Sequence, residues 1–240
     1  MDNDLKPQTE DLAAVGFFSN LPREQLAFLL QGSGFLNLTR GAIIYTNGGE
    51  SGKMYCLLSG RIKLGLTASS GNERTIDIVL PGQTFGESAF FRKSDAPVYA
   101  QAMAPSRLLV LDSETVCNAI KQWPDLSLSF LELAHARIQS LLQGMYACCL
   151  RNAEQRINDY LMEHAEPLKA DEMQAVVNLP ANKSVVASTL NLSPETFSRQ
   201  LHKLEHEGVV RVDRRSVHIY DLRDIRHRHK RLQILASRFG

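Results

Sequence analysis

Three side chains in the stretch SPETFSRQLHKLEHE, residues 193–207, could do recognition chemistry together: Glu195, Ser198 and Arg199. On a helix, a carboxylate, a hydroxyl and a guanidinium at i, i+3 and i+4 share one side. His202 continues that side and Lys203 sits at its margin, while Phe197, Leu201 and Leu204 form an apolar stripe opposite. Ser193 is a good N-cap, and Pro194 occupies the first helical position, where its missing N–H costs nothing. A polar face that is short-armed near its start and basic further on suits a helix entering a DNA major groove N-terminus first. A solvated surface helix would use the same residue types, so the neighbouring sequence has to decide.

Other chemistry finds little purchase. The seven histidines stand at 135, 164, 202, 206, 218, 227 and 229, so residues 1–134 contain none. A jelly-roll metalloenzyme needs several histidines inside its barrel, and that reading fails. Neither a Ser/His/Asp spacing nor a phosphate-cradling glycine loop is present, and no enzyme is expected. Cysteines 56, 117, 148 and 149 match neither a disulfide framework nor a CxxC metal knuckle. Cys148 and Cys149 are adjacent and could form a redox pair, although a buried cysteine is usually a small hydrophobe. The N-terminus, MDNDLKPQTEDL, lacks a signal-peptide apolar region, and no run of about 18 apolar residues exists. A reduced, cytoplasmic protein follows as the expectation.

The elements that must position the reader emerge from the rest of the 240 residues. Net charge is +1, but residues 181–240 hold 12 Lys and Arg against 6 Asp and Glu, and residues 1–180 hold 15 against 20. A basic C-terminal third on an acidic body is the electrostatic outline of a nucleic-acid-binding domain. Residues 12–31 read as helical. From Phe35 to Leu111 short apolar runs alternate with glycine-bearing turns, which predicts a closed β-sandwich or jelly roll. Ser113–Lys121 reads as a short helix, and a longer one runs from about Pro124 through the 140s. On it Leu131, Ala134, Ile138, Leu141, Met145 and Cys148 are spaced 3-4-3-4-3, the seam of a parallel dimer. Leu133 and Leu142 could pack back on the roll.

A helix over Arg151–Glu166 and a short strand at Val176–Leu179 come next. Asn182 can cap a helix over Lys183–Leu190; Asn191 suits the left-handed residue of a tight turn, and Leu192 plugs the core. Gly208 ends the Ser193 helix, and Val209–Val212 with Val217–Tyr220 make a hairpin around Asp213-Arg214-Arg215. Every local cue over some forty residues agrees on a winged helix-turn-helix. The fold class is therefore α+β: a β-roll domain over 12–123, a dimerisation helix over 124–150, a winged helix-turn-helix over 151–222 and a basic tail over 223–240.

With that order in place, residues 12–222 resemble the Crp/Fnr family, the cyclic-AMP receptor and fumarate-nitrate-reduction regulators. In the roll the likeness lies in Met54–Gly60, Ile62, Leu64 and the run Pro81-Gly82-x-x-Phe85-Gly86-Glu87-Ser88-Ala89. In the C-terminal domain it lies in Glu195-Thr196-x-Ser198-Arg199, whose E-x-x-S-R form is similar to the Fnr branch. The resemblance implies a cyclic-nucleotide-binding-like domain and a homodimer acting as transcription regulator on a double-stranded DNA palindrome of TTGAT and ATCAA half-sites. Arg199 can donate bidentately to guanine O6 and N7, Glu195 can accept from cytosine N4, and Ser198 can meet a base edge or thymine methyl. Lys183, His202, Lys203, Arg214 and Arg215 are better placed as phosphate contacts. The Ser69–Glu73 loop sits where the family often touches RNA polymerase, and the tail Arg223–Arg238 reads as a basic helix near DNA or a solvated end.

The sensor departs from two of the family's patterns. Where cyclic-AMP binders carry Pro-Arg-Ser/Thr-Ala, this chain has Pro97-Val98-Tyr99-Ala100, so an anionic phosphate lacks its guanidinium and cyclic AMP is not expected. Residues 1–55 hold no cysteine, so no iron–sulfur cluster is expected. In those two respects the chain resembles the dissimilatory nitrate respiration regulators, which implies nitric oxide sensed through haem and control of anaerobic and nitrogen-oxide respiration genes. Tyr99, Glu87 and His135 are the effector-pocket candidates, with His135 as haem ligand and Cys56, Cys117, Met54, Met103 or Tyr99 as its partner. A thiol-responsive or effector-independent regulator of the same fold, and a ligand-binding module that does not act on DNA, are the alternatives.

Overall fold

Strict alternation along two neighbouring strands builds the centre of the first unit. The computed structural model describes residues 6–49, 52–87, 95–168 and 171–228. Its contacts divide the chain into Met1–Ile138 and Gln139–Gly240. In the first unit, strands β1 (Gly34–Leu38), β2 (Ile43–Tyr45), β3 (Lys53–Ser59), β4 (Ile62–Thr67), β5 (Glu73–Val79), β6 (Thr84–Phe85), β7 (Tyr99–Ala102) and β8 (Ser106–Asp112) form two antiparallel sheets, ordered β1-β8-β3-β6 and β2-β7-β4-β5. Successive side chains on a strand face opposite ways. Tyr55, Leu57 and Leu108 therefore point between the sheets, while Met54, Cys56, Leu109 and Leu111 point outward into a second apolar core made with helices.

Those helices are α1 (Thr9–Ala13), α2 (Arg23–Leu29), α3 (Ser113–Gln122) and the first turns of α4 (Asp125–Leu150). The helical reading of residues 12–31 is thus corrected to two short helices with a 3-10 turn at Gly16–Phe18 between them. Pro22 lacks the N–H a continuous helix needs and serves as the N-cap of α2. Leu126, Phe130 and Leu133 of α4 pack on this core, whereas Leu142 is exposed. Among the described residues no helix is long and apolar enough to cross a membrane.

The second unit holds α5 (Ala153–Glu163), β9 (Glu166–Leu168), β10 (Asp171–Asn178), α6 (Lys183–Thr189), α7 (Pro194–His206), β11 (Val210–Asp213) and β12 (Ser216–Ile219), then a helical stretch over 222–228. The strands form one antiparallel sheet ordered β11-β12-β10-β9. Two expectations need correcting here. The helix from 151 starts only at Ala153, because Asn152 and Gln155 close a reciprocal capping box, and it stops at Glu163. The single short strand at 176–179 is the end of a β9–β10 hairpin that carries the wing.

Candidate nucleic-acid interface and sensor wall

The reader is built from the turn outward. The Asn182 side chain accepts from the Val185 N–H at 3.0 Å and starts α6. After Thr189 the chain turns through Asn191 at φ 54°, a left-handed conformation that its short polar side chain tolerates. The Leu192 N–H donates to the Ala187 carbonyl at 2.8 Å, closing the turn. Ser193 Oγ then accepts from the Thr196 N–H at 3.1 Å, and Pro194 opens α7. Phe197, Leu201 and Leu204 are buried, so Glu195, Arg199 and His202 are exposed on the remaining face, with Ser198 half-buried between them.

The Arg199 guanidinium has no hydrogen bond or ion pair among the described residues. A backbone hydrogen bond, joined by one from Ser193, holds the Glu195 carboxyl below its ordinary range, so it stays an acceptor. The predicted phosphate-binding cations are not equivalent. Arg214 and Arg215 are exposed at the two-residue tip of the β11–β12 hairpin, with Arg214 at φ 51°, and Lys183 is half-buried at the start of α6. Lys203 donates to Glu154 Oε2 of α5 at 2.9 Å, which raises its pKa and leaves its charge already partnered. His202 Nδ1 lies 3.6 Å from Glu205 Oε2. Glu205 Oε1 in turn accepts from the Val212 N–H at 2.9 Å, tying α7 to the wing.

In the roll, sequence reasoning missed the central residue. Arg137 of α4 donates through Nε to Glu87 Oε1 at 2.8 Å, lies 3.4 Å from Asp77 Oδ2 through Nη1, and reaches the Thr84 carbonyl through Nη2. Leu126, Phe130, Leu133 and Arg137 follow i, i+4, i+7 and i+11, so a cation on an otherwise apolar inward stripe was the available signal. Gly86 delivers Glu87 to this wall. It has φ 91°, and a Cβ there would lie 2.8 Å from the Lys53 carbonyl. Tyr45, Tyr55 and Phe85 fill the interior behind it, with Tyr55 and Phe85 stacked at 5.0 Å. Burial, reinforced by the Glu87 charge, pushes the Tyr45 hydroxyl and the Cys56 thiol well above their ordinary pKa values.

The other effector-pocket candidates do not join Glu87. Alternation along β7 sends Ala100 and Ala102 into the core and places Tyr99 over Gly65, where a Cβ would lie 2.6 Å from the ring. There its hydroxyl donates to Glu73 Oε2 at 3.0 Å, and Lys63 bonds the same oxygen at 3.2 Å. His135 is exposed on α4, and two residues separate it from Arg137 by about 200° of helix rotation. Cys56 packs on the helical side of its sheet, Cys117 is half-buried on α3, and among the described residues no group of three or more His, Cys, Asp or Glu could hold a metal ion. His135 and Cys56 therefore do not form a ligand pair in this arrangement. Of the seam, Leu131, Ala134, Ile138, Leu141 and Met145 are exposed and Cys148 is half-buried; Cys149 is exposed. Ser88, Ala89 and His229 through Arg238 lie outside the described residues.

Comparison with known proteins agrees with this layout. The cyclic nucleotide-binding domain family matches residues 35–122, and the Crp-like helix-turn-helix domain family matches residues 155–228. A CRP-like cAMP-activated global transcriptional regulator of Mycobacterium tuberculosis is 24% identical over 213 residues, 88% of this chain and 95% of that protein. The transcriptional activator protein anr of Pseudomonas aeruginosa is 24% identical over 185 residues, 77% of this chain and 75% of that protein. Among solved structures, a CooA mutant from Carboxydothermus hydrogenoformans superposes with a TM-score of 0.71 at 20% identity, covering 83% of this chain and 88% of the other. FixK2 from Bradyrhizobium japonicum gives 0.71 at 16% identity, covering 81% and 96%.

Proposed function

With a cyclic nucleotide-binding domain and a Crp-like helix-turn-helix domain on one chain, the protein belongs to the Crp/Fnr family of DNA-binding regulators, and we propose that it acts as a homodimer on a palindrome of TTGAT and ATCAA half-sites. The observation that carries the reading is the exposed Arg199, without a partner among the described residues, beside an ionised Glu195 on α7. The guanidinium matches guanine O6 and N7, and the carboxylate matches the N4 amine of cytosine paired to that guanine. Arg214 and Arg215 at the wing tip, Lys183 and His202 supply phosphate contacts that set register. Lys203 brings a charge already partly neutralised by Glu154 to that role.

Control comes from the roll. A small effector reaching Glu87 or Asp77 competes for Arg137, the one α4 cation that both carboxylates hold, and so biases how α4 sits on its sheet. The two α7 helices then come into or out of register one DNA turn apart. The nitric-oxide form of this reading, with nitrogen-oxide respiration genes as targets, uses His135, whose exposure opens it to a haem held from outside the roll. RNA polymerase contact falls to the exposed turn between β4 and β5.

Footprinting of the purified chain on a duplex carrying the palindrome tests the DNA reading. Protection of both half-sites, lost when the guanine and its cytosine are exchanged, is the expected result. Equal protection of a duplex without the half-sites would sink it.

A further inference from the structure

We propose that Arg156 of α5 is a positioning residue for DNA recognition, holding the turn before α7 against the linker that leaves α4; this rests on the reading that α7 enters the groove. Its Nη1 donates to the carbonyls of Leu190 and Asn191, both at 2.9 Å, and its Nε donates to the Arg151 carbonyl at 2.9 Å. Arg151 lies between the end of α4 at Leu150 and the start of α5 at Ala153. One guanidinium thus bridges the interhelix linker and the helix-turn-helix turn, which stand 39–40 residues apart in sequence.

The acceptors explain why a side chain is needed there. Leu190 and Asn191 follow the last turn of α6, where helix carbonyls lose their intrahelical partners. Asn191 also carries the left-handed φ on which the direction of α7 depends. A planar, permanently charged fork can serve carbonyls from two segments at once, which a lysine ammonium on a flexible stem does with less fixed geometry. Among the described residues no carboxylate pairs with Arg156, so its charge goes wholly to these carbonyls. A shift of the linker is passed to the turn through three hydrogen bonds, and α7 is aimed by the same contact that anchors it.

The test uses the full chain and the variants Arg156→Gln and Arg156→Lys. Binding is measured on the palindrome duplex and on an equal-length duplex lacking both half-sites. Hydrogen exchange is followed over residues 187–196. Loss of charge-assisted bonds to the turn should lower the ratio of specific to non-specific affinity about tenfold in Arg156→Gln. Non-specific binding should be unchanged, since the exposed wing cations Arg214 and Arg215 remain, and exchange over the turn should rise. Arg156→Lys should recover part of both. A folded variant that keeps the wild-type ratio and the wild-type exchange overturns the proposal, as does an equal fall in both affinities. Should Arg156→Gln not fold, Arg156→Lys alone decides by the same two measures. Wild-type protein that fails to discriminate the duplexes refutes the palindrome reading, and the exchange comparison then judges the clamp by itself.

Discussion

Arg199 and Arg137 are guanidiniums with opposite surroundings. Arg199 is exposed and has no partner among the described residues, so its donors are open to an outside acceptor. Arg137 is half-buried among Glu87, Asp77 and the Thr84 carbonyl, so its donors are already used inside the first unit. Replacing Arg199 with alanine should cost about 1–3 kcal/mol on the palindrome and flatten discrimination at the guanine, while binding to unrelated DNA changes little. Competition binding against base-substituted duplexes checks this; unchanged selectivity would remove Arg199 from the readout. Arg199 was legible in the sequence because helical period alone places it with Glu195 and Ser198. Arg137 and Arg156 were not, because their partners lie on other segments and include backbone carbonyls, which no side-chain pattern announces. The place of Tyr99 was not legible for a related reason: only the strand's alternation, fixed by its pairing with β4, puts it over Gly65.

At the scale of elements, winged helix-turn-helix signals are local and were readable. Asn182, Asn191, Ser193, Pro194 and Gly208 each act within a few residues of their own position. The β9–β10 hairpin escaped, since Glu166–Leu168 has no apolar alternation and gains its conformation from pairing with β10. Helix α5 carries an unusual load in its buried side. The Tyr160 hydroxyl is buried without a hydrogen-bond partner among the described residues, and its ring stacks on His164 at 4.2 Å. Burial, with the Glu163 charge added, pushes its pKa up to about 12. The proton is therefore held more tightly folded than unfolded, where a tyrosine titrates near 10. Stability from this group is full below about pH 10 and declines as pH rises toward 12. Tyr160→Phe removes both the unpaired hydroxyl and the titration. It should leave stability at pH 7 unchanged or higher by about 1 kcal/mol, and should flatten the alkaline fall in melting temperature. Thermal melts of both proteins from pH 7 to 11.5 give the comparison; a large loss at pH 7 would mean the hydroxyl has a stabilising partner.

For the whole molecule, the unburied side of α4 is the surface proposed to join two copies. Leu131, Ile138, Leu141 and Met145 are 65%, 55%, 59% and 63% exposed, an apolar stripe with the 3-4 spacing of a coiled-coil seam. Contiguous apolar surface of this kind marks an interaction site, and the heptad spacing is the ground on which a second copy of the same helix is proposed as its occupant. The inward stripe of the same helix, Leu126, Phe130 and Leu133, is already packed, so the two faces can be altered separately. Ile138→Asp with Leu141→Asp puts two charges into the seam without touching the inward stripe. Sedimentation should show the wild type as a dimer and the double variant as a monomer of unchanged melting behaviour in its roll. Palindrome affinity should then fall about a hundredfold or more, because two half-site contacts no longer share one binding event, whereas a duplex with a single half-site should be bound about as well by either protein. A double variant that remains dimeric would place the interface elsewhere. A monomer that keeps full palindrome affinity would show that the two readers do not act together.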